Sequence, residues 1–321
     1  MSVIAVSLGD PAGVGPEIVA KAWAARRALA LPDFEAHGDG EALARAARAC
    51  GADIAGLRVV SIPLAAREIP GAPDPRNGAS VIAAIESAVN AAHSGRAGAI
   101  VTCPIAKSVL YEAGFKFPGH TEFIAELCGA APEKGPLMML AAADLRVALV
   151  TIHQPLREAL SAITRGAIMR AATILDTALR QDFGVERPRI ALAGLNPHAG
   201  EDGALGREEI EVINPAAAAL RAAGIEISDA RAPDSLFHAD ARRAYDAALC
   251  LYHDQGLIPI KTLDFWGGVN ITLGLPVVRA SPDHGTAFDI AGAGRASETS
   301  FVAALRAADA IAARRRALAA V

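Results

Sequence analysis

Val147-Ala148-Leu149-Val150-Thr151-Ile152-His153 is an apolar, β-branched run that ends on an imidazole, and an Ala-rich stretch of helical length, 156–180, follows it closely. Such a run reads as a buried strand feeding a helix. The alternation recurs on both sides: 3–8 precedes 16–31, 99–103 precedes 106–114, 190–195 precedes 208–223, and 248–252 supplies another strand. This is the βαβ rhythm of a largely parallel sheet covered by helices, so the chain is predicted to be α/β. Pro16 followed by Glu17 marks a helix start, and Gly224 after Arg221-Ala222-Ala223 marks a helix end. The stretch 303–321 reads as one closing helix rich in Ala and Arg. No internal repeat, low-complexity tract or Ser/Gly linker interrupts the pattern.

Of 321 residues, 52% are hydrophobic, 4% aromatic and 21% charged, an aliphatic globular composition that excludes a disordered or fibrous chain. Above roughly 250–300 residues a single core stops growing, so two α/β subdomains are expected. Lys and Arg total 31 against 35 Asp and Glu, a net charge of −4, which supplies no basic excess for a phosphate backbone and argues against a nucleic-acid partner. The longest uncharged run, Phe265 to Val278, has 14 residues and is broken by glycines and Pro276, whereas a membrane helix needs about 20. No membrane span is expected. The first eight residues carry no Lys or Arg and run into Asp10-Pro11, unlike a secretory signal, so a cytoplasmic protein is expected. Cys50, Cys103, Cys128 and Cys250 are far apart and suggest neither a disulfide framework nor a zinc ribbon.

The strongest chemical signal is a recurrence. His153 ends its strand; His198 follows Ile190-Ala191-Leu192-Ala193-Gly194-Leu195-Asn196-Pro197; His253 follows Ala248-Leu249-Cys250-Leu251-Tyr252. Ligands of open α/β sheets bind beyond the carboxyl ends of the strands, so three imidazoles delivered there can converge on one divalent ion with an open coordination position. A single strand-end histidine is more often a satisfied polar residue. It is the repetition in three strands that favours a metal.

Gly9-Asp10-Pro11-Ala12-Gly13-Val14-Gly15-Pro16-Glu17 joins a strand to a helix but lacks the third glycine of a dinucleotide fingerprint and the Gly-Lys-Ser/Thr of a phosphate loop. A tight structural turn is at least as good a reading. The stretch from Lys261 to Arg279 sets two cations and Asn270 among turn glycines, donors suited to a phosphate or carboxylate. Gly119-His120-Thr121-Glu122 puts an imidazole and a hydroxyl where a helix starts, and Thr121 serves equally as a cap there.

Five motifs together resemble the 4-hydroxythreonine-4-phosphate dehydrogenase family: Gly9 to Glu17, Pro118-Gly119-His120-Thr121-Glu122, Leu195-Asn196-Pro197-His198-Ala199-Gly200-Glu201, Tyr252-His253-Asp254-Gln255-Gly256, and Ser281-Pro282-Asp283-His284-Gly285-Thr286-Ala287. They run in the family's order from residue 3 to about 305. The resemblance implies two α/β/α subdomains like those of isocitrate and isopropylmalate dehydrogenases, with the active site in the cleft between them and completed by the partner chain of a homodimer. The expected division is 1–125 together with 270–321 as the nucleotide-binding subdomain, and 126–269 as the metal-binding and dimerisation subdomain.

The resemblance also implies the chemistry. The family oxidises the C3 hydroxyl of 4-phosphooxy-L-threonine with NAD or NADP, and the β-keto acid loses carbon dioxide to give 3-amino-2-oxopropyl phosphate, on the route to pyridoxal phosphate. The metal ligands then fall on His153, His198 and His253, and the ion is one of Zn, Mg, Co, Mn or Ni. The substrate contacts fall on His120, Thr121, Lys261, Asn270 and Arg279. Asp254 and Lys107 are the candidates for taking the hydroxyl proton. His284, Gly285, Thr286 and Asp289 match the loop that holds the adenosine end of NAD in isopropylmalate dehydrogenases. A carboxylate at 289 accepts from a ribose 2′-hydroxyl and repels a 2′-phosphate, which favours NAD; a helix cap is the plainer role for this Asp.

The chain departs from the family at Asp264-Phe265-Trp266-Gly267-Gly268-Val269-Asn270, where Gly267 stands in place of the usual arginine. Related enzymes of 4-phospho-D-threonate and D-erythronate 4-phosphate therefore stay in view. A phosphotransacetylase-like acyltransferase, which shares the broad fold and needs no metal, is the alternative from another class.

Overall fold

The computed structural model describes residues 3–131 and 133–320, which divide into two compact units, 3–130 with Leu275–Ala313 and Ala131–Gly274 with 314–320. In the first unit, strands β1 (Ile4–Ser7), β2 (Phe34–Gly38), β3 (Arg58–Ser61) and β4 (Ala99–Thr102) are parallel. A returning strand, Arg279–Pro282, lies parallel to β4 with Arg279 opposite Ile100, and the order is β3-β2-β1-β4 followed by it. Strands β1 and β4 are buried at every position, as strands with helices on both faces must be, which is why they read as apolar runs up to Ser7 and Thr102 at their ends.

Helices Gly15–Ala25, Gly40–Cys50, Gly78–His93 and His120–Leu127 belong to this unit. Gly40–Cys50 shows the local rules: Asp39 accepts from the Ala42 N–H at 2.7 Å at its start, and Gly51, with φ of 68°, ends it in the left-handed region. One core joins Ala5 and Ile100 of the sheet to Ile85, Leu110, Phe123 and Ile124 of the helices.

The second unit contains β5 (Leu137–Ala142), β6 (Leu145–Leu149), β7 (Arg189–Leu192), β8 (Glu226–Ile227), β9 (Ala247–Cys250) and β10 (Val269–Leu273), in the order β10-β5-β6-β9-β7-β8. β5 pairs antiparallel with both β10 and β6, and the remaining pairs are parallel. The class is thus α/β with largely parallel sheets. The stretch 156–180 is two helices, Leu156–Ala162 and Arg165–Gln181, because Thr164 takes an extended backbone and accepts from the Ala167 N–H at 3.2 Å, restarting the helix. The stretch 208–223 likewise starts as a π-helical turn, Glu209–Ile213, before the α-helix Asn214–Ala222. Among the described residues no helix is long and apolar enough to cross a membrane.

Candidate active site

Strands β6, β9 and β7 are neighbours, and each sends its carboxyl end toward one of the three histidines. The β6–β9 register pairs Leu149 with Cys250, and beyond the strands the Val150 and Thr151 N–H groups continue the ladder to the Cys250 and Leu251 carbonyls. His153 and His253 leave this shared ladder together. Their ring centroids stand 5.6 Å apart with planes at 49°.

His253 is the first residue of helix His253–Leu263, and its Nδ1 lies 2.7 Å from Asp254 Oδ1, which leaves Nε2 as the nitrogen turned to any ligand. A carboxylate behind a histidine in this way fixes the ring and its tautomer, the usual support for a metal-binding imidazole. Gln255 braces the base of the site: its Oε1 accepts from the Leu251 N–H at 2.7 Å, and its Nε2 donates to the Gly194 carbonyl at 2.6 Å, tying the end of β9 to the end of β7. A cavity of about 220 Å³ opens here, lined by His153, His253, Tyr252, Gln154 and Leu156 among others. Burial raises the Tyr252 phenol, so it stays protonated and polar without charge. Two imidazoles, one oriented by a carboxylate, on a cavity of this size fit a divalent ion that takes nitrogen ligands.

His198 is not with them. It sits exposed on the loop after β7, and among the described residues no three His, Cys, Asp or Glu side chains are close enough to hold an ion. The loop itself is unusual: His198, Ala199, Glu201 and Asp202 all have φ between 42° and 54°, a left-handed turn that costs roughly 1–2 kcal/mol per side-chain-bearing residue.

A second polar cluster lies in the first unit. Arg279, buried at the start of its strand, donates from Nη2 to Thr102 Oγ1 at 2.8 Å. Burial pulls its guanidinium down to about 10, against the opposing pull of Glu122. His120 and Thr121 open helix His120–Leu127 as its first two residues; Gly119, not Thr121, holds the cap position. Burial, then the charges of Arg279 and Lys107, hold the His120 imidazole well below its ordinary range, so it is neutral near pH 7. Its Nε2 is buried with no hydrogen-bond partner. A neutral nitrogen left open beside two cations is a place for an anionic, hydrogen-bonding ligand. Lys107 closes on the same corner, since a Cβ at Gly119 would lie 3.7 Å from its Nζ.

Lys261 is in the last turn of helix His253–Leu263, with Nζ 5.1 Å above the Phe265 ring, and Asn270 is in β10 with a buried Oδ1 that has no hydrogen-bond partner. His284 and Gly285 are exposed, the His284 Nδ1 lying 2.9 Å from the Gly285 carbonyl, and Thr286 accepts through its carbonyl from the Val14 N–H at 3.0 Å. Asp289 is exposed in a turn and caps no helix.

The Gly9–Glu17 segment is a packed turn. Asp10 is buried and accepts from the Ala12 N–H at 2.9 Å, and a Cβ at Gly15 would stand 2.1 Å from the Leu8 carbonyl oxygen. Thr102 and Gln255 are supporting residues to which the sequence alone assigns no role, although Gln255 lies within the Tyr252–Gly256 motif. Their only signal is a polar side chain beside a strand end.

The family model described as pyridoxal phosphate biosynthetic protein PdxA matches residues 15–308. A 4-hydroxythreonine-4-phosphate dehydrogenase of Maricaulis maris is 58% identical over 326 residues, covering 95% of this chain and 96% of the relative. The enzyme of the same name from Caulobacter vibrioides is 54% identical over 327 residues, covering 97% and 98%. The crystal structure of a 4-hydroxythreonine-4-phosphate dehydrogenase from Klebsiella pneumoniae superimposes with a TM-score of 0.86 at 37% identity, covering 97% of this chain and all of that one.

Proposed function

This chain belongs to the family of pyridoxal phosphate biosynthetic proteins PdxA, and from that premise we propose that it oxidises the C3 hydroxyl of 4-phosphooxy-L-threonine with NAD and releases carbon dioxide, leaving 3-amino-2-oxopropyl phosphate. The observation that carries the site is the pairing of His153 with His253 at the ends of two neighbouring strands. His153, His253 and His198 are the residues that would hold a divalent ion, and such an ion would acidify the C3 hydroxyl and polarise the carbonyl that replaces it.

The chain's own groups have the other duties. Arg279, steadied by Thr102, offers a fork of donors to an anionic group of the substrate, and neutral His120 adds a hydrogen bond without adding charge. Lys261, Asn270 and Thr121 complete the substrate contacts. Asp254 is already engaged with His253 Nδ1, so its part is to orient that ring; Lys107, the other candidate for taking the hydroxyl proton, would first have to give up its own. A nicotinamide cofactor would accept the hydride from C3, and His284, Gly285, Thr286 and Asp289 are the residues that would hold its adenosine end. Asp289 favours NAD over NADP.

A homodimer that shares its active sites accounts for His198. Its separation from the other two histidines leaves a third ligand to be supplied by a second copy of the chain. The second unit also exposes Leu156, Leu160, Ile258, Phe265 and Trp266, the last two more than 60% accessible, which is the kind of apolar surface a second copy covers. The test of the activity is NADH production by metal-loaded protein with 4-phosphooxy-L-threonine, 4-phospho-D-threonate and D-erythronate 4-phosphate side by side. The proposal requires the first to be the best substrate, and a preference for either of the others would overturn it.

A further inference from the structure

The loop carrying His198 has a backbone that L-residues do not adopt by preference. From His198 to Gly203 every φ is positive, and four of these six residues bear side chains. Conformations of this kind persist only where the surroundings over-determine them. The surroundings here centre on Glu209. Its carboxylate, 1% exposed, accepts through Oε1 from the main-chain N–H groups of Leu195 and Asn196, each at 2.8 Å, and through Oε2 from Asn196 Nδ2 at 2.8 Å. Asn196 also donates to Glu208 Oε2 at 2.7 Å.

Two glycines make room for this arrangement. A Cβ at Gly200 would stand 2.7 Å from Glu209 Oε2, and one at Gly206 would stand 2.3 Å from Asn196 Nδ2. The carboxylate is therefore wedged under the turn it holds. Glu209 also opens the π-helical turn Glu209–Ile213, a wide turn of the sort found at functional sites.

We propose that Glu209 is a positioning residue, which fixes the left-handed turn and so presents His198 to the metal site. The inference rests on the reading of His198 as a metal ligand. Metal–ligand distances tolerate deviations of about 0.2 Å, so a loop free to relax would lose the ion while every histidine remained. Glu209 itself touches neither metal nor substrate and acts through the backbone.

The experiment titrates metal-free protein with Co²⁺, follows the visible absorption of the bound ion, and compares wild type with His198→Ala, Glu209→Ala and Glu209→Gln, with limited proteolysis of the 196–206 loop in parallel. Glu209→Ala is expected to weaken Co²⁺ binding tenfold or more and to open the loop to protease. Glu209→Gln keeps one acceptor oxygen but turns a donor toward Asn196, so it is expected to weaken binding several-fold, and it decides the matter if the alanine variant does not fold. His198→Ala is expected to lose binding without exposing the rest of the loop. Wild-type Co²⁺ affinity and spectrum in a folded Glu209 variant, while His198→Ala loses the ion, would overturn the positioning role alone. Wild-type Co²⁺ binding by His198→Ala would overturn the ligand reading, and the proposal with it.

Discussion

The His153 and His253 rings stand 5.6 Å apart because the strands that deliver them are paired in register, Leu149 opposite Cys250, and both rings lie beyond the ends of that ladder. The geometry is set by main-chain hydrogen bonds, and Asp254 adds the last constraint by holding His253 Nδ1 at 2.7 Å. Replacing Asp254 with Asn keeps the shape and weakens the orienting bond. Metal affinity measured on Asp254→Asn should fall roughly 10- to 100-fold, as is typical when the carboxylate behind a ligand histidine is removed.

Arg279 is a buried cation steadied by the hydroxyl of Thr102. Thr102→Val removes that acceptor and should cost about 1–3 kcal/mol. The loss should appear as a raised KM for the phosphorylated substrate, with the KM for NAD unchanged. Arg279→Ala should cost more, on the order of 2–5 kcal/mol of substrate binding, as expected for one partner of a desolvated charge pair.

His120 makes stability depend on pH. Burial and the neighbouring charges of Arg279 and Lys107 hold its folded-state pKa well below the ordinary value of about 6.5. Below that value the unfolded chain binds a proton that the folded chain refuses. The stability is therefore fully present above about pH 7 and falls with pH, by up to ~1.4 kcal/mol per unit for this one group. Chemical denaturation between pH 7.5 and 5 should show this slope, and His120→Asn should flatten it. His37, also pushed down by burial, supplies part of what remains.

Much of the fold is legible in the sequence because strands buried on both faces leave near-continuous apolar runs, as β1, β4 and β9 do. The region 261–279 is less so. Read as cations and Asn270 scattered among turn glycines, it is in fact a helix end carrying Lys261, a strand carrying Asn270 and a second strand opened by Arg279. Each of the two strands is fixed by sheet partners far away in sequence. The helical breaks at Thr164 and Glu209 likewise follow from hydrogen bonds that local periodicity does not encode.

The site divides in the same way. Histidines at strand ends are visible because the pattern shows where strands stop. The support that Thr102 gives Arg279 spans 177 positions, and the left-handed turn under His198 depends on a carboxylate packed beneath it. Neither leaves a trace in composition or spacing.

Asp289 is exposed in a turn, available to a ligand and not used as a helix cap. If its carboxylate rejects the 2′-phosphate of NADP, Asp289→Ser should narrow the preference for NAD by about tenfold, equivalent to ~1.4 kcal/mol. The measurement is the ratio of kcat/KM values for the two dinucleotides.

One metal site is expected to take His153 and His253 from one chain and His198 from a second. His253→Ala and His198→Ala should each be inactive alone, for lack of a ligand in every site. When the two variants are mixed and their subunits exchanged by mild unfolding and refolding, each mixed dimer has one site with both defects and one with none, because a twofold interface is reciprocal. With random pairing about half the dimers are mixed, so activity should return to roughly one quarter of wild type by that symmetry. No recovery, with mixed dimers demonstrated by native mass spectrometry, would mean that His198 serves its own chain and would contradict a shared metal site.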